Sequence, residues 1–297
     1  EFDQVLYDTL KGDAKALMLL GSGYGSGSLR FTMIAGQTTD TLEPPYGEAG
    51  IASYGDLAAL AEVVQRAEMA IPLTPEEKAL LMPGASLGGA RPKALVLIDG
   101  HPWIAKFRRA GETVDVQAVE AAVNFLAKHA GIDVAECQIK RVQGARGPET
   151  VFLSKRFDRS TEGHPLSYLS AATILQAPRS IRPGGGGPDM QAAYSYVDIA
   201  SALRRISSEP EADAIQLYRR LVFNVLIGNR DDHLCNHGFI ADAAHRGRYR
   251  LAPAFDIAIA PNQPAVHPIG LIPGARAGTS EALITAAQRF GVPHSTA

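Results

Sequence analysis

Between Asn229 and Phe239 the chain reads Asn-Arg-Asp-Asp-His-Leu-Cys-Asn-His-Gly-Phe. Asp231 offers a carboxylate that can take the proton of an attacking hydroxyl, and Asn236, five residues later, offers an amide oxygen to a hard cation. Further on, Asp256 follows Leu251-Ala252-Pro253-Ala254-Phe255 and supplies a second anionic oxygen. A base, an amide and a further carboxylate in this order are parts of a phosphoryl-transfer site, where catalysis is mostly positioning and charge neutralisation. The same residue types also crowd into ordinary turns, because they satisfy local backbone groups. Alone, the stretch is either a catalytic loop or a polar turn.

The elements around it favour the first alternative. A helix over Ala214 to Leu226, with Ile215, Tyr218, Leu221, Val222, Val225 and Leu226 as its apolar stripe and Gly228 at its end, would hold the loop rigidly. Phe239-Ile240 and Tyr249-Arg250-Leu251 read as short strands joined by a polar turn, which brings Asp256 beside Asn236. His233 is read as a neutral imidazole that braces the loop. Asp232 has no evident task.

Upstream, Gly84-Ala85-Ser86-Leu87-Gly88-Gly89-Ala90-Arg91-Pro92-Lys93 leads into a strand, Ala94 to Ile98. Small residues such as Gly88 and Gly89 let backbone amides approach an anion, and Arg91 and Lys93 add positive charge. Asp99-Gly100 is a two-residue hairpin turn, so Pro102 to Phe107 should return antiparallel with Ile98 opposite His101 and Lys93 opposite Lys106. Two lysines side by side repel unless an anion lies between or over them, a need that a triphosphate would meet. A solvated strand lysine and a plain glycine connector are the alternatives. Glu120, on a helix over Asp115 to Gly131 with Val119, Ala122, Val123, Leu126 and Ala130 on its apolar face, lies within reach of a strand lysine. The earlier run Gly21 to Ser28 reads as a loop before a strand, since no strand leads into it and no helix follows.

The other elements follow from periodicity and punctuation. A helix is expected over Ser53 to Ile71 with Ser53 as its cap, and a short one from Thr74-Pro75-Glu76-Glu77 to Pro83-Gly84. Strands are expected at Gln138 to Val142 and Val151 to Phe157, the second leading into Arg156-Phe157-Asp158-Arg159 at the crossing between lobes. Helices follow at Leu166 to Gln176 and Tyr196 to Ile206, separated by the loop Pro183 to Pro188. This is an α+β, bilobal arrangement: a leading segment at 1–52, a small antiparallel-sheet lobe at 53–160 and a mainly helical lobe at 161–297.

The composition is compatible with that size and class. The 297 residues are 46% hydrophobic and 20% charged, a globular balance with enough chain for a large core. A formal charge of -2 gives no overall drive toward nucleic acid or anionic membrane. Cys137 and Cys235 lack metal-ligand spacing and read as reduced thiols of a cytoplasmic protein. No apolar run approaches the roughly 20 residues of a membrane span. The Glu1-Phe2 start without Met and the abrupt end after Arg289-Phe290-Gly291 read as a piece of a longer chain.

Taken together, Ser86 to Lys93, Ile104-Ala105-Lys106-Phe107, Arg156 to Arg159, Asn229 to Phe239 and Leu251 to Asp256 resemble, in order, the motifs of the HipA family of bacterial toxin kinases. The resemblance covers roughly residues 25 to 290 and implies a protein-kinase-like fold related to the lipid kinases. It implies an ATP- and Mg²⁺-dependent Ser/Thr protein kinase in which Lys106 holds the α/β-phosphates, Asp231 is the catalytic base, and Asn236 and Asp256 hold the metal. Ser86 falls where the family carries a serine whose autophosphorylation expels the loop and switches the kinase off; a dianionic phosphate there would repel nucleotide phosphate. Family substrates include aminoacyl-tRNA synthetases. The implied partner is a HipB-like helix-turn-helix antitoxin, through which operator DNA is contacted. The family's N-terminal subdomain has only a partial counterpart in residues 1–50. A kinase-fold corepressor without chemistry and a small-molecule or lipid kinase are the alternative functions.

Overall fold

The computed structural model describes residues 52–53, 56–85, 91–109, 111–144, 147–161, 163–178, 193–259 and 266–292. The Gly21 to Ser28 and Pro183 to Pro188 loops, and Ser86, Gly88 and Gly89, lie outside the described residues. The chain divides into two compact units: residues 1–121 with 136–166, and residues 122–135 with 167–297. Among the described residues no helix is long and apolar enough to cross a membrane.

The first unit is built on a five-stranded sheet. Its strands are β1 (Ala52–Ser53), β2 (Lys93–Ile98), β3 (His101–Lys106), β4 (Cys137–Gly144) and β5 (Gly147–Lys155), in the spatial order β1-β2-β3-β5-β4. All pairings are antiparallel except β1 with β2. Asp99 and Gly100 both have positive φ, at 51° and 76°, as the tight hairpin turn requires. The turn sets the expected register, with Ile98 opposite His101 and Lys93 opposite Lys106. Helices α1 (Leu57–Glu68) and α2 (Pro75–Ala85) pack Leu57, Leu60, Val64 and Leu81 against Ala94, Val96, Trp103 and Leu153 of the sheet.

One expectation changes here and another holds. Ser53 does not cap α1; its backbone pairs with Leu97, and Asp56 takes the cap position. Thr74 does cap α2, reciprocally with Glu77: the Glu77 amide donates to Thr74 Oγ1 at 3.2 Å and the Thr74 amide to Glu77 Oε2 at 2.8 Å.

Helix α3 (Val116–His129) begins in the first unit and ends in the second. Its buried face is Gln117, Glu120, Val123, Asn124 and Ala127, while Leu126 is 55% exposed and Ala130 is exposed too. The expected apolar face was therefore rotated. Gln117 Nε2 donates to the Phe107 carbonyl at 2.7 Å and Glu120 meets a lysine, so polar side chains are buried because partners await them.

The second unit packs α5 (Tyr196–Ile206), α6 (Pro210–Ile227) and α7 (Ser280–Phe290) around Tyr196, Ile199, Leu203, Leu217, Leu221 and Phe290. A three-stranded antiparallel sheet of β6 (Tyr168–Ser170), β7 (Gly238–Ala241) and β8 (Tyr249–Leu251) lies in sequence order. Helix α4 (Ala171–Ile174) has only four residues. The expected helix over Leu166 to Gln176 is thus reduced to a single turn, because Tyr168 to Ser170 pairs with Gly238 to Ile240. Helix α5 has the expected bounds, and α6 ends on Gly228 in the left-handed conformation.

Along α6 the buried face also differs from the expected stripe. Leu226 is 76% exposed, whereas Asp213, Arg220 and Asn224 are buried. Asp213 accepts from Ser207 Oγ at 2.6 Å and from the Leu251 amide at 3.0 Å and pairs with Arg250; Arg220 donates to the Ala252 carbonyl at 2.7 Å. These bonds tie α6 to β8 and to the segment that carries Asp256.

Candidate active site

Where α6 stops, side chains take over the backbone's hydrogen bonds. The Asn229 amide donates to the Asn224 carbonyl at 2.9 Å, and Asn229 Nδ2 donates to Asn224 Oδ1 at 3.2 Å. Asn229 Oδ1 in turn accepts from the Asp231 amide at 3.1 Å. The His233 amide donates to the Asp231 carbonyl at 3.0 Å, and Leu234–Asn236 forms a single 3₁₀ turn. The Asp231 side chain is 78% exposed, so its carboxylate is presented to whatever approaches from solvent. His233 Nε2 lies 4.0 Å from Asp231 Oδ1.

Asn236 Nδ2 donates to the Asp231 carbonyl at 2.9 Å. That bond fixes the amide's orientation and leaves Oδ1 as the atom available to a cation. Asp256 is exposed and held at a φ of 53°, an uncommon conformation for a residue with a side chain. Asn236 and Asp256 line one pocket, together with Asp232 and His237. One amide oxygen and one carboxylate suit Mg²⁺, which takes few protein oxygens and fills its remaining positions with water and phosphate.

Beneath the exposed Asp231, the adjacent Asp232 points the other way and is 2% exposed. It accepts a hydrogen bond from the Tyr196 hydroxyl, and His237 Nε2 lies 3.0 Å from Oδ1, bent from an ideal hydrogen bond. Burial pushes the Asp232 carboxyl up, but His237 and the Tyr196 hydroxyl outweigh it and hold it below the ordinary carboxylate range. Burial, with the Asp232 charge, raises Tyr196 well above its usual value, so the phenol remains a donor. His267 is held down to about 4, first by burial and then by the Arg230 guanidinium against its ring.

In the first unit, Lys106 Nζ lies 2.7 Å from Glu120 Oε1, with the two side chains only 11% and 7% exposed. Lys106 also sits 5.6 Å from the centre of the Phe152 ring. Lys93, opposite Lys106 across the hairpin, is buried as well. The anion that the paired lysines call for is met in part by Glu120. Arg91 Nη1 pairs with Glu112 at 2.7 Å.

Sequence reasoning passed over Tyr196, Asn224, His237 and His267. Tyr196 stands 36 residues before Asp232 and carries no motif, so no spacing signal could have found it.

An Asp-Asn loop with a second Asp in one unit, and a buried Lys-Glu pair behind a hairpin in the other, define a kinase-like α+β protein. The chain belongs to the family of the HipA-like C-terminal domain, whose model matches residues 85–297. "Putative kinase Y4mE" of Sinorhizobium fredii is 28% identical over 277 residues, covering 86% of this chain and 57% of its own length. A "Putative kinase" of Haemophilus influenzae is 26% identical over 184 residues, covering 58% and 52%. The chain thus spans about half the length of these curated relatives. Among solved structures, the HipA, HipB and operator DNA complex of Shewanella oneidensis MR-1 has the same fold, with a TM-score of 0.55 at 21% identity over 71% of this chain and 53% of that one.

Proposed function

We propose that this chain is an ATP- and Mg²⁺-dependent Ser/Thr protein kinase, acting as the toxin of a bacterial toxin-antitoxin pair. The observation that carries the reading is the loop itself: an exposed Asp231 carboxylate, an Asn236 amide held through its nitrogen, and Asp256 lining the same pocket as Asn236. Asp231 accepts the proton of the substrate hydroxyl. Asn236 and Asp256 hold the metal, which when bound neutralises charge on the transferring phosphate. Lys106, steadied by Glu120, takes the α/β-phosphates, with Lys93 and Arg91 adding positive charge. Gly88 and Gly89 contribute to nucleotide binding, and Ser86 is the autophosphorylation site. His233 serves the loop beside the base.

A growth-inhibiting kinase of this type acts on a translation component such as an aminoacyl-tRNA synthetase. Its partner is a HipB-like antitoxin, a reading supported by the Shewanella relative, which is in complex with HipB and operator DNA. Antitoxin bridging on DNA can coexist with catalysis.

Incubation of the purified chain with radiolabelled ATP, Mg²⁺ and a bacterial lysate tests the reading. Wild type labels itself or a lysate protein on serine or threonine. Asp231→Asn lowers the rate about 10²- to 10⁴-fold, the range for loss of a positioned general base, while nucleotide still binds. Equal labelling by both, or none by wild type, overturns it.

A further inference from the structure

We infer that Asp232 is the positioning residue of this loop, acting through Tyr196 and His237; the inference rests on the phosphoryl-transfer reading of Asp231 and Asn236. The two adjacent carboxylates diverge, one 78% exposed and the other buried at 2%. A buried carboxylate is expensive to desolvate, so its partners indicate what it is tied to.

From Asp232 the bonds run in a closed ring. The Tyr196 hydroxyl donates to Asp232 Oδ2 and accepts from Asn224 Nδ2 at 3.0 Å. Asn224 Oδ1 accepts from Asn229 Nδ2 at 3.2 Å, and Asn229 Oδ1 accepts from the Asp231 amide at 3.1 Å. The peptide bond from Asp231 to Asp232 closes the ring. Tyr196, Asn224 and Asn229 are all buried. The ring therefore fixes the backbone of the base from beneath.

The other oxygen of Asp232 works at the far end of the loop. His237 Nε2 lies 3.0 Å from Oδ1, and the Tyr196 and His237 rings meet edge to face with centres 5.0 Å apart. His237 directly follows Asn236. A single buried carboxylate thus ties the residue after the base to the residue after the metal ligand, and so sets the spacing between the two groups that must act together.

The test uses the full chain and its Asp232→Asn and Tyr196→Phe variants, the second retaining the ring and removing only the hydroxyl. Amide hydrogen exchange over residues 230 to 237 should accelerate at least about tenfold in both, with α7 unchanged, since local opening is set by local contacts. The kcat for phosphoryl transfer should fall roughly 10- to 100-fold while KM for ATP stays within about twofold, as expected when a reacting group is displaced by an ångström or so. Because Asp232 acts in part through Asp231, adding Asp232→Asn to Asp231→Asn should lower the residual rate by a smaller factor than Asp232→Asn lowers the wild-type rate. Unchanged exchange in the loop, or equal acceleration throughout the second unit, overturns the inference. If wild type transfers no phosphate, the kinase reading fails and the exchange measurement alone decides this one.

Discussion

Removing the charge of Glu120 while keeping its shape, by Glu120→Gln, should destabilise the first unit sharply. Glu120 and Lys106 lie 2.7 Å apart with 7% and 11% of their side chains exposed, and buried Lys93 stands opposite Lys106 on the hairpin. The variant leaves the Lys106 cation buried beside another lysine. Breaking one side of such a pair costs about 3–5 kcal/mol, because the remaining cation loses its nearby carboxylate in a poorly hydrated site. At about 2–4 °C per kcal/mol for a body of 150 to 250 residues, the unfolding midpoint should fall by about 6–20 °C. Trp103, the chain's single tryptophan, is buried on β3 and reports on this unit through its fluorescence during urea or thermal unfolding. The double variant Lys106→Met, Glu120→Leu removes both charges at similar volume and should cost no more than about 2 kcal/mol, since apolar replacement of a buried pair is often near neutral. It should nevertheless bind ATP poorly. A double variant as unstable as the single one, or a single variant unfolding with wild type, would show that charge compensation is not what the pair contributes.

Stability should also fall as pH drops from about 6.5 toward about 4, because unfolding lets His267 take up a proton near the ordinary 6.5 that the native site refuses until about 4. The Asp232 carboxyl, held low, adds its own loss only below the unfolded carboxylate value of about 3.9. Thermal melts across this range should therefore show a slope that His267→Gln flattens, and an unaltered slope would assign the acid sensitivity elsewhere. Gly238→Ala drives a Cβ into the Tyr168 ring of the adjacent strand, and should cost about 1–3 kcal/mol in a urea titration. Wild-type stability in that variant would mean that β6 can withdraw from β7 freely.

Parts of this arrangement were legible beforehand for local reasons. Asp99-Gly100 admits a tight hairpin, and a two-residue turn sets the pairing of every residue after it, so the sequence alone matches Lys93 with Lys106. Helix α5 matched residue for residue, because a Ser195 capping box, an amphipathic run and Ser207 mark its ends within its own sequence. Helix α3 is the opposite case. Its apolar residues suggested a face through Leu126, but Gln117 and Glu120 had partners on other segments, and a satisfied polar group can be buried where an apolar one is left in water. Tyr168 to Ser170 was misread as helix because its strand identity depends on β7, some 70 residues later.

The chain's order of residues thus determined which groups are available for chemistry, and in what spacing: Lys106 after a hairpin, Asp231 five residues before Asn236, Asp256 beyond two short strands. Only the tertiary structure decided that Asp231 faces out and Asp232 in. Two adjacent aspartates are chemically identical in a sequence. What separates them is burial against Tyr196 and His237, and burial is a property of the packed molecule.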